Sequence, residues 1–206
     1  MILPSRLYAI VDPLDTGRDP IALARAMVAG GARVLQLRLK ATATGELLTA
    51  SEKVREIAAA AGAIFVVNDR ADVARACGAD GVHLGQEDLP VAAARAVLEP
   101  GRLVGFSTHS ETQLAAARAS GADYLAFGPL YATTSKSAAD PVLGCERLRN
   151  ARTLTTTPLV AIGGITAATA PAVLAAGADA VAVIAALVRA PDVERATAEL
   201  LALIER

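Results

Sequence analysis

Aromatic side chains are scarce in this chain of 206 residues: they make up 3% of it, with no tryptophan, although hydrophobic residues make up 53%. The apolar content is therefore aliphatic, chiefly Ala, Val, Leu and Ile, which suits helices packed on buried strands. Cysteine is scarce too. Cys77 and Cys145 are too few for a disulfide framework, and no CxxC occurs. Both read as reduced packing residues of a cytosolic protein, so a cytoplasmic location is expected. An excess of charge of either sign is also lacking. A formal net charge of -1 gives the whole-molecule field no reason to attract nucleic acid or an acidic membrane, and neither is expected as a partner.

Long apolar runs are missing at the N-terminus. Residues 1–13 hold one five-residue run, Leu7 to Val11, short of a signal-peptide core. The charge-free stretch from Thr153 to Ala178 is long enough to span a bilayer. It contains six Thr, Pro158, Gly163–Gly164 and Pro171, however, and reads as a strand, a turn and a helix. No linker, charge block or low-complexity tract divides the chain, so one domain over 1–206 is expected. A His/Cys metal cluster, a nucleophile elbow and a dinucleotide fingerprint are all absent.

What is present is a repeat. Gly78-Ala79-Asp80 precedes GVHLG, Gly121-Ala122-Asp123 precedes YLAFG, and Gly177-Ala178-Asp179 precedes AVAVI. Gly30-Gly31-Ala32-Arg33 before VLQLR is a looser copy. Each follows an Ala-rich helical pattern, so the Gly reads as a left-handed helix stop and the apolar run as a buried parallel strand. Eight strands are predicted: Leu7–Asp12, Val34–Leu39, Ile64–Asp69, Gly81–Gly85, Leu103–Thr108, Tyr124–Leu130, Leu159–Ile165 and Ala180–Leu187. Helical segments alternate with them, the last over Asp192–Glu205. The fold class is α/β, a TIM-type (β/α)₈ barrel of eight parallel strands, with an open doubly wound sheet as the alternative.

In such a barrel, chemistry belongs to the C-terminal ends of the strands. Gln36, Arg38 and Lys40 alternate with Leu along the second strand, so all three share one face. Against a helix layer they would be costly, which turns them toward the barrel mouth. Asp69 and Asp88 end up at the tops of the third and fourth strands. Two carboxylates with waters and phosphate oxygens are a usual way to hold Mg²⁺. For Asp88, capping the next helix is the competing role. The connection from Gly128 to Gly144 exceeds the roughly 2–6 residues usual for a βα loop and reads as a lid. Its hydroxyls and Lys136 suit an anionic ligand. Gly163–Gly164 would admit a phosphate to the backbone at the seventh strand. His83 reads as a hydrogen-bonded barrel residue. His109 stands at active-site height, where Ser110 also caps a helix.

With these segments in order, the chain resembles the thiamine phosphate synthase family, which also contains thiazole tautomerases. The resemblance runs from Leu7 to about Leu187. It is carried by QLRLK at 36–40, NDR at 68–70, GADGVHLGQEDLP at 78–90, STHS at 107–110, GADYLAFGPLYATTSK at 121–136 and VAIGGI at 160–165. It implies the joining of a hydroxymethylpyrimidine pyrophosphate to a thiazole phosphate, giving thiamine phosphate and pyrophosphate. It also implies that Asp69 and Asp88 hold Mg²⁺, and that Arg38, Lys40, Asn68, Ser107 and Lys136 bind the pyrophosphate. Arg38, Ser107 and Lys136 are the expected catalytic contacts. Thr133 and Ser135 would hold the pyrophosphate or the thiazole phosphate, and Gln36 would meet the pyrimidine. Gly164 and the backbone near Ala185 and Ala186 would bind the thiazole phosphate. The family's usual Thr before the lid Lys is Ser135 here, the Glu common in the QLR motif is Leu39, and a Ser common after the last strand is Ala185. The alternatives are a thiazole tautomerase with His109 as acid and base, and a non-catalytic barrel that binds a phosphorylated metabolite. The partners expected are small-molecule substrates; the sequence leaves the oligomeric state open, a homo-oligomer included.

Overall fold

Eight parallel strands, each hydrogen-bonded to the next and the eighth to the first, close into a barrel. The computed structural model describes residues 3–14, 16–133 and 141–205. The strands are β1 Leu7–Val11, β2 Val34–Leu37, β3 Ile64–Asn68, β4 Gly81–Leu84, β5 Leu103–Thr108, β6 Tyr124–Phe127, β7 Leu159–Ile162 and β8 Ala180–Val183. The helices are α1 Pro20–Ala29, α2 Thr44–Ala60, α3 Ala71–Cys77, α4 Val91–Val97, α5 Glu111–Ala117, α6 Gly144–Leu154, α7 Ala170–Ala175, α8 Ala185–Val188 and α9 Val193–Ile204.

Several strands are shorter than their apolar runs suggest. The sixth, seventh and eighth stop at Phe127, Ile162 and Val183, and the chain turns helical at Ala185. The apolar residues beyond are buried all the same: Leu130, Ile165 and Leu187 are each below 5% exposed. They join the buried cluster between barrel and helices, which a reading of hydrophobicity alone cannot separate from strand.

Alternation splits the core in two. Leu35, Leu37, Phe65, Val67, Val82, Leu84, Leu125 and Phe127 face the helix shell, while Tyr8, Ile10, Val34, Val66, Tyr124, Val160 and Ala180 fill the lumen. Two of the three tyrosines are inside the barrel, edge to face with centroids 5.8 Å apart. Gly105 admits the second of them: a Cβ there would lie 2.1 Å from Tyr124 Cζ.

The repeat supports the end opposite the mouth. Gly78, Gly121 and Gly177 have φ of 70°, 80° and 106°, the left-handed values that favour glycine. The following Asp is a clamp. Asp80, Asp123 and Asp179 accept from the backbone N–H of Phe65, Val104 and Leu159, at 2.8, 2.7 and 2.7 Å. Each also donates its own N–H back to the same residue. Arg102, Arg95 and Arg152 pair with the three carboxylates in turn. In the looser copy Arg33 stands where the Asp would be, and that clamp is missing.

Candidate active site

The lumen-facing series along the strands ends in polar residues at one mouth. On β1 the series Tyr8, Ile10 continues to Asp12; on β2, Val34, Gln36 continues to Arg38; on β3, Ile64, Val66 ends at Asn68. Arg38 pairs with Asp12, whose Oδ1 also accepts from Leu14 N at 2.9 Å. Both side chains are largely buried. Asn68 is half-buried at the end of its strand.

Lys40, just past β2, pairs with Asp69, just past β3. Asp69 has φ of 65°, and its N–H bonds to His83 O at 2.7 Å, which ties the turn to β4. Burial pushes the Asp69 carboxyl above the usual aspartate value; Lys40 opposes this, and Asp88, within hydrogen-bonding reach, adds to it. Asp88 accepts from Gly85 N at 2.7 Å and caps its own turn. It does not cap α4, whose N-cap is Pro90 with no side-chain bond. Among the described residues no group of three or more His, Cys, Asp or Glu could hold a metal. The Asp69–Asp88 pair fits a cation that takes its remaining oxygens from water and substrate. A pair of close carboxylates on a desolvated site is a charge arrangement that a cation relieves.

A buried polar chain crosses the lumen beneath these groups. Gln36 Nε2 donates to Tyr8 Oη at 2.9 Å, Tyr8 and Tyr124 hydroxyls are 2.7 Å apart, Tyr124 Oη is 3.1 Å from His83 Nδ1, and His83 Nε2 is 2.8 Å from Ser107 Oγ. Gln86 Nε2 donates to Ser107 O at 2.5 Å. His83 is thus hydrogen-bonded inside the barrel, as the sequence implies. His109 donates from Nδ1 to Gly128 O at 2.8 Å, and Ser110 caps α5 through Gln113 N at 3.1 Å.

The long connection after β6 is closed at its base. Leu143 N bonds to Pro129 O at 2.9 Å and Gly144 N to Leu130 O at 3.1 Å. Thr133 is the last described residue of its first limb; Ser135 and Lys136 lie outside the described residues. On the other side, Leu130 and Tyr131 donate to Ile162 O and Gly163 O. This changes the reading of the glycine pair. A Cβ on Gly163 would lie 2.5 Å from Pro129 Cα, and one on Gly164 would lie 2.5 Å from Ala132 O. The backbone that comes close is the lid stem, not only a ligand. Ala185 and Ala186 open the short helix α8 directly above β8, with no side-chain cap. A cavity of about 500 Å³ between the starts of α1 and α9, lined by Arg18, Asp19 and Asp192, contains none of the predicted site residues.

Sequence reasoning missed Asp12, which stands at a strand top as Asp69 does and could have been found by the same rule. It also missed the tyrosines that link Gln36 to His83, since strand alternation does not say which lumen residues touch.

Known proteins can be compared with this arrangement. A family model described as thiamine monophosphate synthase matches residues 7–187. The chain is 51% identical over 195 residues to a thiamine-phosphate synthase of Methanoculleus marisnigri, covering 94% of this chain and 92% of the relative. It is 46% identical to one of Methanocella arvoryzae, covering 97% and 95%. Among solved structures, a thiamine phosphate pyrophosphorylase from Pyrococcus furiosus superposes with a TM-score of 0.89 at 37% identity, covering 97% and 95%. A 3-hexulose-6-phosphate synthase at TM-score 0.69 and 24% identity shares the fold.

Proposed function

From the premise that the chain belongs to the thiamine monophosphate synthase family and is a transferase that forms thiamine phosphate, we propose how its mouth residues divide that reaction. The observation that carries the assignment is the pairing of Asp69 with both Lys40 and Asp88 at the tops of adjacent strands. Asp69 and Asp88 would hold Mg²⁺, which when bound supplies charge neutralisation to a pyrophosphate.

Arg38, Lys40, Asn68, Ser107 and Lys136 bind the pyrophosphate of the pyrimidine substrate, and Gln36 binds the pyrimidine. Gly164, with the backbone of Ala185 and Ala186, binds the thiazole phosphate, and Thr133 and Ser135 reach one phosphate or the other from the lid. The bond between the pyrimidine methylene carbon and the pyrophosphate oxygen breaks, and the electron pair leaves with the pyrophosphate. Arg38, Ser107 and Lys136 stabilise that growing charge. The aminopyrimidine ring delocalises the positive charge left on the methylene carbon. The thiazole nitrogen then attacks that carbon, and thiamine phosphate and pyrophosphate result. The protein supplies no nucleophile, and none is needed.

The alternatives lack support. A tautomerase needs neither the carboxylate pair nor the cations around it, and a passive binding barrel needs still less. The free thiols of Cys77 and Cys145 fit a reducing, cytoplasmic setting. Among the described residues no helix is long and apolar enough to cross a membrane.

The test is direct. Purified protein with both substrates and Mg²⁺ should release thiamine phosphate and pyrophosphate in equal amounts, and a chelator should stop it. Tautomerisation of a thiazole carboxylate phosphate without any synthase turnover would overturn the assignment.

A further inference from the structure

The chain from Gln36 to Ser107 takes its direction from the Gln36 amide, whose Nε2 faces Tyr8. Gln36 Nε2 is a donor, so Tyr8 Oη accepts from it. The proton of Tyr8 then goes to its other partner, Tyr124 Oη, 2.7 Å away. The hydroxyl of Tyr124, having accepted, donates to His83 Nδ1. A neutral imidazole that accepts at Nδ1 carries its proton on Nε2 and donates there, and the partner at Nε2 is Ser107 Oγ, at 2.8 Å. Burial pushes both phenols above the usual tyrosine range, so both keep the protons this ordering needs. His83 also lies stacked on Tyr124, with ring centroids 5.5 Å apart and 22° between planes, which fixes the ring's orientation.

We infer that His83 is a positioning residue for the transfer: held as its Nε2–H tautomer, it donates to Ser107 Oγ and turns the serine's own proton toward the departing pyrophosphate. A serine beside a histidine often suggests a nucleophile and its base. Here the polarity is reversed. The imidazole gives a hydrogen bond to the oxygen instead of taking its proton, so Ser107 is a donor to a developing anion and is not activated to attack. The buried tyrosines set the sign of that contact from the far side of the barrel. The inference rests on the reading of Ser107 as a pyrophosphate ligand.

Variants at both positions separate the two readings. Ser107→Ala should lower kcat by about 10²-fold, as loss of one preorganised donor does. His83→Phe keeps a ring on Tyr124 but cannot donate to Ser107; it should lower kcat by roughly tenfold to a hundredfold, with little change in KM. His83→Gln offers an acceptor and a donor on one amide and should recover most of that loss. In a Ser107→Ala background, His83→Phe should add nothing, because its effect passes through the serine. The tautomer is read separately. The chain has two histidines, so ¹⁵N spectra of the His109→Asn protein report His83 alone, and should show Nε2 protonated and Nδ1 bare. A Ser107→Ala protein with wild-type turnover would remove the serine from the site. A crippled Ser107→Ala beside a fully active His83→Phe would leave the serine in place and overturn the role of His83. Protonation found on Nδ1 would overturn it whatever the kinetics.

Discussion

Asp69 and Asp88 reach one another across the tops of β3 and β4, and Lys40 flanks the first of them. Asp88→Asn should keep the fold, since an Asn oxygen can still accept from Gly85 N. It should nevertheless lower turnover by on the order of 10²-fold, the scale for losing one electrostatic contact to a developing anion, and raise the Mg²⁺ concentration needed for half-maximal rate. Turnover measured against Mg²⁺ checks this. An Asp88→Asn protein with the wild-type metal requirement would confine Asp88 to its turn.

Asp69 also has a stability signature. Its folded carboxyl is raised above the ordinary 3.8, chiefly by burial. Below that pH both folded and unfolded chains carry the proton, and the residue is neutral to stability. As pH rises the unfolded chain ionises first, so stability is lost until the pH passes the folded value. Asn cannot ionise, and it tolerates the left-handed φ of 65° at this position. Asp69→Asn should therefore melt above the wild type at neutral pH, with the difference closing toward zero in acid, while synthase activity is lost. The Lys40 pair it gives up is exposed and worth little. Asp69→Ala, strained at the same φ, should not share the gain.

Much of this was legible in the sequence. The GAD copies gave away the alternation of helix and strand, and QLRLK, NDR and the carboxylate in GQED marked the mouth. What stayed hidden lies between strands. Tyr124 looks like any apolar strand residue until Gly105 on β5 is seen to make room for it, and pairing register is not written in either segment alone. The strand ends were overread for a related reason: Leu130, Ile165 and Leu187 are apolar because the connections after β6 and β7, and helix α8, are themselves buried against the helix-facing core.

The glycine pair after β7 leads to a third prediction. Gly164→Ala would place its Cβ 2.5 Å from Ala132 O at a φ of 65°. It should cost roughly 1–3 kcal/mol in chemical denaturation. It should also shift the lid stem, raising KM for both substrates. A neutral result on both measures would mean that the stem moves away without cost.

A fourth concerns the far end of the barrel. Asp123→Ala removes the acceptor of Val104 N and the partner of Arg95. Loss of a hydrogen bond to a charged group suggests a penalty of about 1.5–3 kcal/mol. Because the clamp lies opposite the mouth, kcat and KM should stay at wild-type values below the melting transition. A large kinetic defect in the folded protein would show that the two ends are coupled.

The backbone bonds of the three clamps fall within the strand pairs β3–β4, β5–β6 and β7–β8; the Asp80 carboxylate also pairs across to Arg102, which leads into β5. The barrel is in this sense a ring of two-strand modules, each carrying its own fastening in the segment that leads into its second strand. New chain termini can be opened in the α2–β3 segment, which holds no clamp residue, whereas opening the α3–β4 segment frees the very residues that present Asp80. The same seams are the natural joints for exchanging whole modules between related barrels.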